Sequence, residues 1–226
     1  MKDPAVVNAL EKVIIRRGPS PVHGTGTPAA KALLALGGIG TEEAKRVVLD
    51  TLQRALRRGP KTKRYIGRDG EYAGIIDHGL EALQAWPGDA AVTNLLQSLA
   101  TEGKWYGRID AFMQEKAWAV LLLHEMRRDD VTDTRDRARF LLKRLSASGE
   151  GHAWDWAHPG FKTSESARNG ALMRLLSEMG PAIMPDIRKA QANDGDPLRI
   201  EALKQLSIRI KSLEATGGPF LNAPDK

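Results

Sequence analysis

Ala32-Leu33-Leu34-Ala35-Leu36-Gly37 decides how this chain is read, because its Ala/Gly-Leu-x-x-Leu phrase returns three times. It comes back as Gly79-Leu80-Glu81-Ala82-Leu83, as Ala171-Leu172-Met173-Arg174-Leu175 and as Ala202-Leu203-Lys204-Gln205-Leu206. Leucines three residues apart share one face of a helix. Each phrase leads to a turn signal and then to a second amphipathic segment, which is the pattern of a helical hairpin. One hairpin cannot bury its apolar stripe alone, so its neighbours must be laid against it. The predicted fold is all-α: a curved α-solenoid of antiparallel helix pairs.

The punctuation around these phrases sets the elements. Residues 5–17 form a first helix with Val6, Val7, Leu10, Val13 and Ile14 on one stripe, followed by a Gly/Pro/Ser loop through Gly26. Thr27-Pro28 restarts helix with a hydroxyl cap and a proline that loses no needed N–H. Gly37 and Gly38 are expected to stop that helix. Thr41-Glu42-Glu43 opens its partner, with acids where the helix dipole favours them. Its inner face is Ala44, Val47, Val48, Leu52, Ala55 and Leu56, and Gly59-Pro60 ends it. A second pair runs from Tyr72 to Trp86 and from Asp89 to Gly103. A third runs from near Ile109 to Met126 and from near Thr132 to Leu145. Residues 146–163 break the rhythm and read as a loop insertion. Helix resumes near Ser164, turns at Gly180-Pro181, and restarts at Asp196-Pro197. The predicted organisation is a single repeat domain over 1–216 with a tail at 217–226. No segment alternates apolar and polar residues as a strand would.

Composition narrows the function classes. The chain has 226 residues, 42% hydrophobic and 27% charged, a balance suited to a globular core rather than to disorder. Without cysteine there are no disulfides, thiolate metal sites or cysteine nucleophiles. The start, Met1-Lys2-Asp3-Pro4, leads into an amphipathic stretch, and the densest apolar run, Ala117 to Leu123, is far too short to span a bilayer. The expected location is the cytoplasm, with no membrane partner.

Charge is concentrated in one place. Arg54, Arg57, Arg58, Lys61, Lys63, Arg64 and Arg68 fall in one window with no acid among them. The net charge of the whole chain is +6, so outside this window the two signs nearly cancel. Arginines at a helix C-terminus also serve the dipole, which accounts for Arg54, Arg57 and Arg58 and leaves the loop residues either to an anionic partner or to solvent as a plain basic loop. A nucleic acid, DNA before RNA, or an acidic protein is the expected partner. A second basic set, Arg135, Arg139 and Lys143, lies along one helix face but is diluted by Asp133 and Asp136.

Two further stretches carry chemistry. Lys104-Trp105-Tyr106-Gly107-Arg108-Ile109-Asp110 sets an aromatic pair before a carboxylate at a junction between hairpins. His152-Ala153-Trp154-Asp155-Trp156-Ala157-His158 puts two imidazoles in a loop, where Trp154 and Trp156 are better suited to contacting a partner than the histidines are to holding a metal. No metal and no cofactor is expected. The single His124-Glu125 pair, and the absence of phosphate-loop, serine-elbow and zinc-protease motifs, add no reaction.

The hairpin phrases together resemble a degenerate HEAT-type (armadillo-type) array. Trp105, Tyr106 and Asp110 resemble the aromatic-plus-aspartate signature of the HEAT-repeat alkylpurine DNA glycosylases, a DNA-repair family. Gly38-Ile39-Gly40-Thr41-Glu42-Glu43 and Asn169-Gly170-Ala171-Leu172-Met173-Arg174 resemble that family's helix starts. The resemblance implies that Asp110 stabilises the positive charge on the sugar as an alkylated base leaves and orients water. It also implies that Trp105 and Tyr106 stack on the cationic lesion. The chain departs from the family at Ala171, where a second cleft aromatic would stand, and Trp154 or Trp156 would have to replace it. The residues alone also admit Trp105 and Tyr106 as cover for a junction and Asp110 as a helix cap. The first expectation is a non-catalytic binding module. The alternatives are a glycosylase acting on alkylated bases, and a protein–protein scaffold that uses the Trp-rich insertion.

Overall fold

The computed structural model describes residues 3–15, 27–59, 70–101, 108–146 and 164–217, and among them the regular structure is helical throughout. The α-helices are α1 (Pro4–Ile15), α2 (Pro28–Ile39), α3 (Glu42–Arg58), α4 (Gly70–Ala82), α5 (Ala90–Thr101), α6 (Arg108–Arg128), α7 (Thr134–Arg144), α8 (Ser164–Glu178), α9 (Met184–Asn193) and α10 (Pro197–Ala215). Short 3₁₀ turns cover Leu83–Ala85 and Gly180–Ile183. The all-α expectation is met. The helices group into two compact units, Met1–His124 and Glu125–Lys226, which divide within α6. No helix among the described residues is long and apolar enough to cross a membrane.

The first unit is organised by α2, α3 and α4. Thr27 caps α2, its hydroxyl accepting from Ala30 N–H at 3.3 Å, and Thr41 caps α3 in the same way from Ala44 N–H at 3.2 Å. Each such cap is worth about 1 kcal/mol. Gly37 and Gly38 do not end α2; it runs on to Ile39 and closes at Gly40, whose φ of 67° is left-handed. Gly37 instead lets α4 come close, since a Cβ there would lie 2.9 Å from the Ala82 Cα. The Trp86 indole N–H reinforces the contact by donating to the Gly40 carbonyl at 3.2 Å. The C-terminal ends of α2 and α4 therefore meet, and these two helices run in the same direction.

Helix α3 runs the other way. Its Leu52 packs on Gly79, where a Cβ would lie 2.5 Å from Leu52 Cδ2. Lys45, in its first turn, reaches Asp89 beyond the end of α4 at 2.5 Å. Asp89 also caps α5, accepting from Val92 N–H at 3.0 Å. Leu33, Leu36, Leu52, Leu80, Leu83 and Leu96 are fully buried in one core. Each contributes about 1.5–3 kcal/mol relative to an exposed position. Helix α1 buries a narrower stripe than expected: Val7 and Ile14 are inside, whereas Val6 and Val13 are each 41% exposed.

The second unit is built from α7 to α10 and the end of α6. Asp133 caps α7, accepting from Arg135 and Asp136 N–H at 2.8 and 3.2 Å. Helix α8 buries Ala167, Ala171, Leu172, Leu175 and Leu176, and Met179 just beyond its end is buried with them. Helix α10 packs on α8 and α9 with Leu203, Leu206 and Ile210 inside. Arg199 ties α10 to α7, its guanidinium donating to the Leu142 carbonyl at 2.8 Å while pairing with Asp194 at 3.2 Å. Ser146, the first residue of the insertion, is held by Asn169 and Glu165 of α8. The rest of the insertion, 147–163, lies outside the described residues, as does the tail beyond Gly217.

Candidate functional site

Helix α3 is electrically polar along its length. It starts with Glu42 and Glu43 and ends with Arg57 and Arg58, each matched to the nearer pole of the helix dipole. Arg54 is exposed and already engaged: its guanidinium pairs with Asp50 at 2.9 Å and donates to the Asp50 carbonyl at 3.3 Å. Arg57 is exposed and Arg58 half-buried. Gly59, with φ 65°, turns the chain off the helix while its N–H donates to the Ala55 carbonyl. Lys61, Lys63, Arg64 and Arg68 follow and lie outside the described residues. The chain re-enters at Gly70, the first residue of α4, which packs antiparallel to α3. The basic window therefore joins the C-terminal end of α3 to the N-terminal end of α4.

The other expected site residues separate. Asp110 is the third residue of α6. Trp105, Tyr106, Trp154 and Trp156 lie outside the described residues. Ala171 is fully buried on the packed face of α8, so that position belongs to a core. Gly40 and Thr41 of the second resemblance motif are explained by helix capping alone. In the second basic set, Arg139 is paired with Asp136 and Asp186, each at 3.2 Å, while Arg135 and Lys143 stay exposed. His124 is buried and donates from Nε2 to the Leu83 carbonyl at 3.0 Å, and Glu125 pairs with Arg144 at 3.3 Å. Both residues of that pair serve packing.

A cluster that no sequence motif announces lies on α4. Asp77, His78 and Glu81 occupy one turn of that helix. The ammonium of Lys116, on α6, bridges the Asp77 carboxylate and Glu81 Oε2, the latter at 3.1 Å. His78 Nδ1 stands 3.6 Å from Asp77 Oδ2 and 3.7 Å from Glu81 Oε2. Lys116 is buried, Asp77 and His78 are half-buried, and Glu81 has an open edge to solvent. The spacing i, i+1, i+4 within Asp77-His78-x-x-Glu81 is a visible signal, but its counter-ion comes from far along the chain.

Among the described residues, two carboxyl groups have clear electrostatic perturbations. The Lys45 ammonium hydrogen-bonded to Asp89 holds that carboxyl below the usual range, helped by the Val92 N–H. The bond to Asp89, and then that to Glu42, raises Lys45 in turn. The N–H of Asp136, followed by that of Arg135, lowers Asp133. All three belong to helix starts and stabilise the fold.

The chain matches no family model, no curated protein and no solved structure.

Proposed function

We propose that this protein is a non-catalytic binding module, built as a stack of HEAT-like helical hairpins, that engages nucleic acid, DNA before RNA, through a basic surface. The observation that carries this reading is the Arg54–Arg68 window. It holds seven cations and no acid, while the charges elsewhere nearly cancel. Phosphate backbones reward such local excess because each neutralised phosphate releases condensed counter-ions. The junction between two antiparallel helices supports the same reading. Arg57 stands at the C-terminal end of α3, and the four cations of the connection follow it in the chain before α4 begins. The shared direction of α2 and α4, with α3 reversed between them, favours the stacked-hairpin architecture.

An acidic protein would answer to the same charges, and salt titration against duplex DNA separates the two. Nucleic-acid binding should weaken steeply with salt, and should weaken further when Arg57, Lys61, Lys63 and Arg64 are replaced by serine. Absence of DNA binding at low salt, in a folded chain, rejects the reading. The glycosylase alternative rests on Trp105, Tyr106 and Asp110, and the buried Ala171 weighs against it.

A further inference from the structure

The two carboxylates and the imidazole on α4 have no role in binding an anion, and their geometry points elsewhere. We propose that Asp77, His78 and Glu81 form a site for a divalent transition metal of the Zn2+ class. In this proposal the Lys116 ammonium is the tethered cation that occupies the site until a metal displaces it. The inference does not depend on the nucleic-acid reading.

The geometry is close to what a metal requires. Zinc bound to nitrogen and oxygen at about 2.0–2.2 Å in a tetrahedron sets its ligand atoms roughly 3.4 Å apart. The His78–Asp77 and His78–Glu81 separations are 3.6 and 3.7 Å, and all three ligand atoms lie within 4.8 Å of one another. The three side chains stand on a single helical turn, so the backbone is already in position. Glu81, whose side chain is 44% exposed, leaves an open edge that gives an ion a way in.

Charge supplies an independent reason. The site already holds a cation, since the Lys116 side chain is 9% exposed and reaches the cluster from another helix. One ammonium against two carboxylates leaves one negative charge over. A divalent ion balances both carboxylates completely. The ammonium is held here by hydrogen-bonded ion pairs to the two carboxylates, whereas a metal adds a coordinate bond from the imidazole as well. The imidazole also selects the metal class. Oxygen-only shells suit Mg2+ and Ca2+, and a nitrogen ligand favours Zn2+, Co2+ or Ni2+.

The test is calorimetric titration of Zn2+ into the metal-stripped full chain. Wild type, His78→Ala, Asp77→Asn and Lys116→Met are compared after circular dichroism confirms that each is folded. The wild type should take up one Zn2+ at this site. His78→Ala and Asp77→Asn should bind at least tenfold more weakly, and Lys116→Met at least tenfold more tightly because its competitor is gone. Lys116→Gln carries the same expectation where methionine fails to fold. Co2+ should give the visible absorption of a four-coordinate nitrogen/oxygen set in the wild type and lose it in His78→Ala. The proposal is overturned if neither the wild type nor the Lys116 variant binds Zn2+. Equal affinity in the wild type and His78→Ala also overturns it, because the ion is then elsewhere. Unchanged affinity in the Lys116 variant overturns the displacement.

Discussion

Gly37 meets Ala82 backbone to backbone: a Cβ added to Gly37 would lie 2.9 Å from the Ala82 Cα and 3.0 Å from its carbonyl oxygen. Neither atom can yield without moving α4. Gly38, one residue on, has nothing within 4 Å of such a Cβ. The two glycines should therefore respond in opposite senses. Gly37→Ala is expected to cost about 1–3 kcal/mol through overpacking. Gly38→Ala should gain up to about 1 kcal/mol from helix propensity. Urea denaturation of the two variants reads the difference, and equal effects would mean that α2 and α4 are not in this register.

Acidification should unfold the first unit partly through Asp89. Its carboxyl is lowered in the folded state, first by the Lys45 hydrogen bond and then by the Val92 N–H. Its contribution is therefore present above the ordinary aspartate pKa of about 4 and lost as pH falls through the lowered folded value. Lys45 is raised, so its contribution is present below the ordinary lysine value and lost as pH rises through the folded one. Denaturation midpoints measured at neutral pH and near pH 2 should show Asp89→Asn less stable at neutral pH but less sensitive to acid. An unchanged acid slope would show that Asp89 does not carry this linkage.

Removing the Lys116 ammonium should destabilise the pairing of α4 with α6. Lys116→Ala leaves Asp77 and Glu81 facing each other without their shared counter-ion. The expected loss is about 1–3 kcal/mol, below that of a fully buried pair because Glu81 is partly solvated. A thermal melt in the absence of metal measures it. Lys116→Met keeps the apolar stem without the charge, and a Lys116→Met variant as stable as the wild type would assign the loss to packing alone.

Asp110 offers a direct check on catalysis. A binding module should release no base from methylated duplex DNA, and Asp110→Asn should bind unmodified duplex as the wild type does. Base release by the wild type that disappears in Asp110→Asn would establish the glycosylase instead.

The helices are legible in the sequence because period and punctuation agree. Thr27-Pro28, Thr41-Glu42-Glu43, Asp89 and Asp196-Pro197 all start helices as their chemistry requires. Elsewhere tertiary packing outweighs local propensity. Gly37 has the local character of a stop, yet its helical role depends on Ala82, a residue remote in sequence. Val6 and Val13 fit an apolar stripe by spacing, but α1 buries only the Val7–Ile14 edge. The Asp77-His78-x-x-Glu81 spacing is visible in the sequence, but its meaning comes from Lys116 on another helix. Charge clustering, in contrast, is a property of composition along the chain, so the Arg54–Arg68 window needs no fold to be seen.

The most direct test of the binding claim is the salt dependence of duplex DNA affinity for the wild type and for a variant with Lys61, Lys63, Arg64 and Arg68 all changed to serine. The logarithm of the affinity should fall steeply with the logarithm of salt concentration in the wild type. The slope should become shallower by about 2–4 in the variant, near one unit for each phosphate that the variant no longer neutralises. Identical slopes, or a wild type that does not bind DNA at low salt, would contradict a role for this segment as the nucleic-acid footprint.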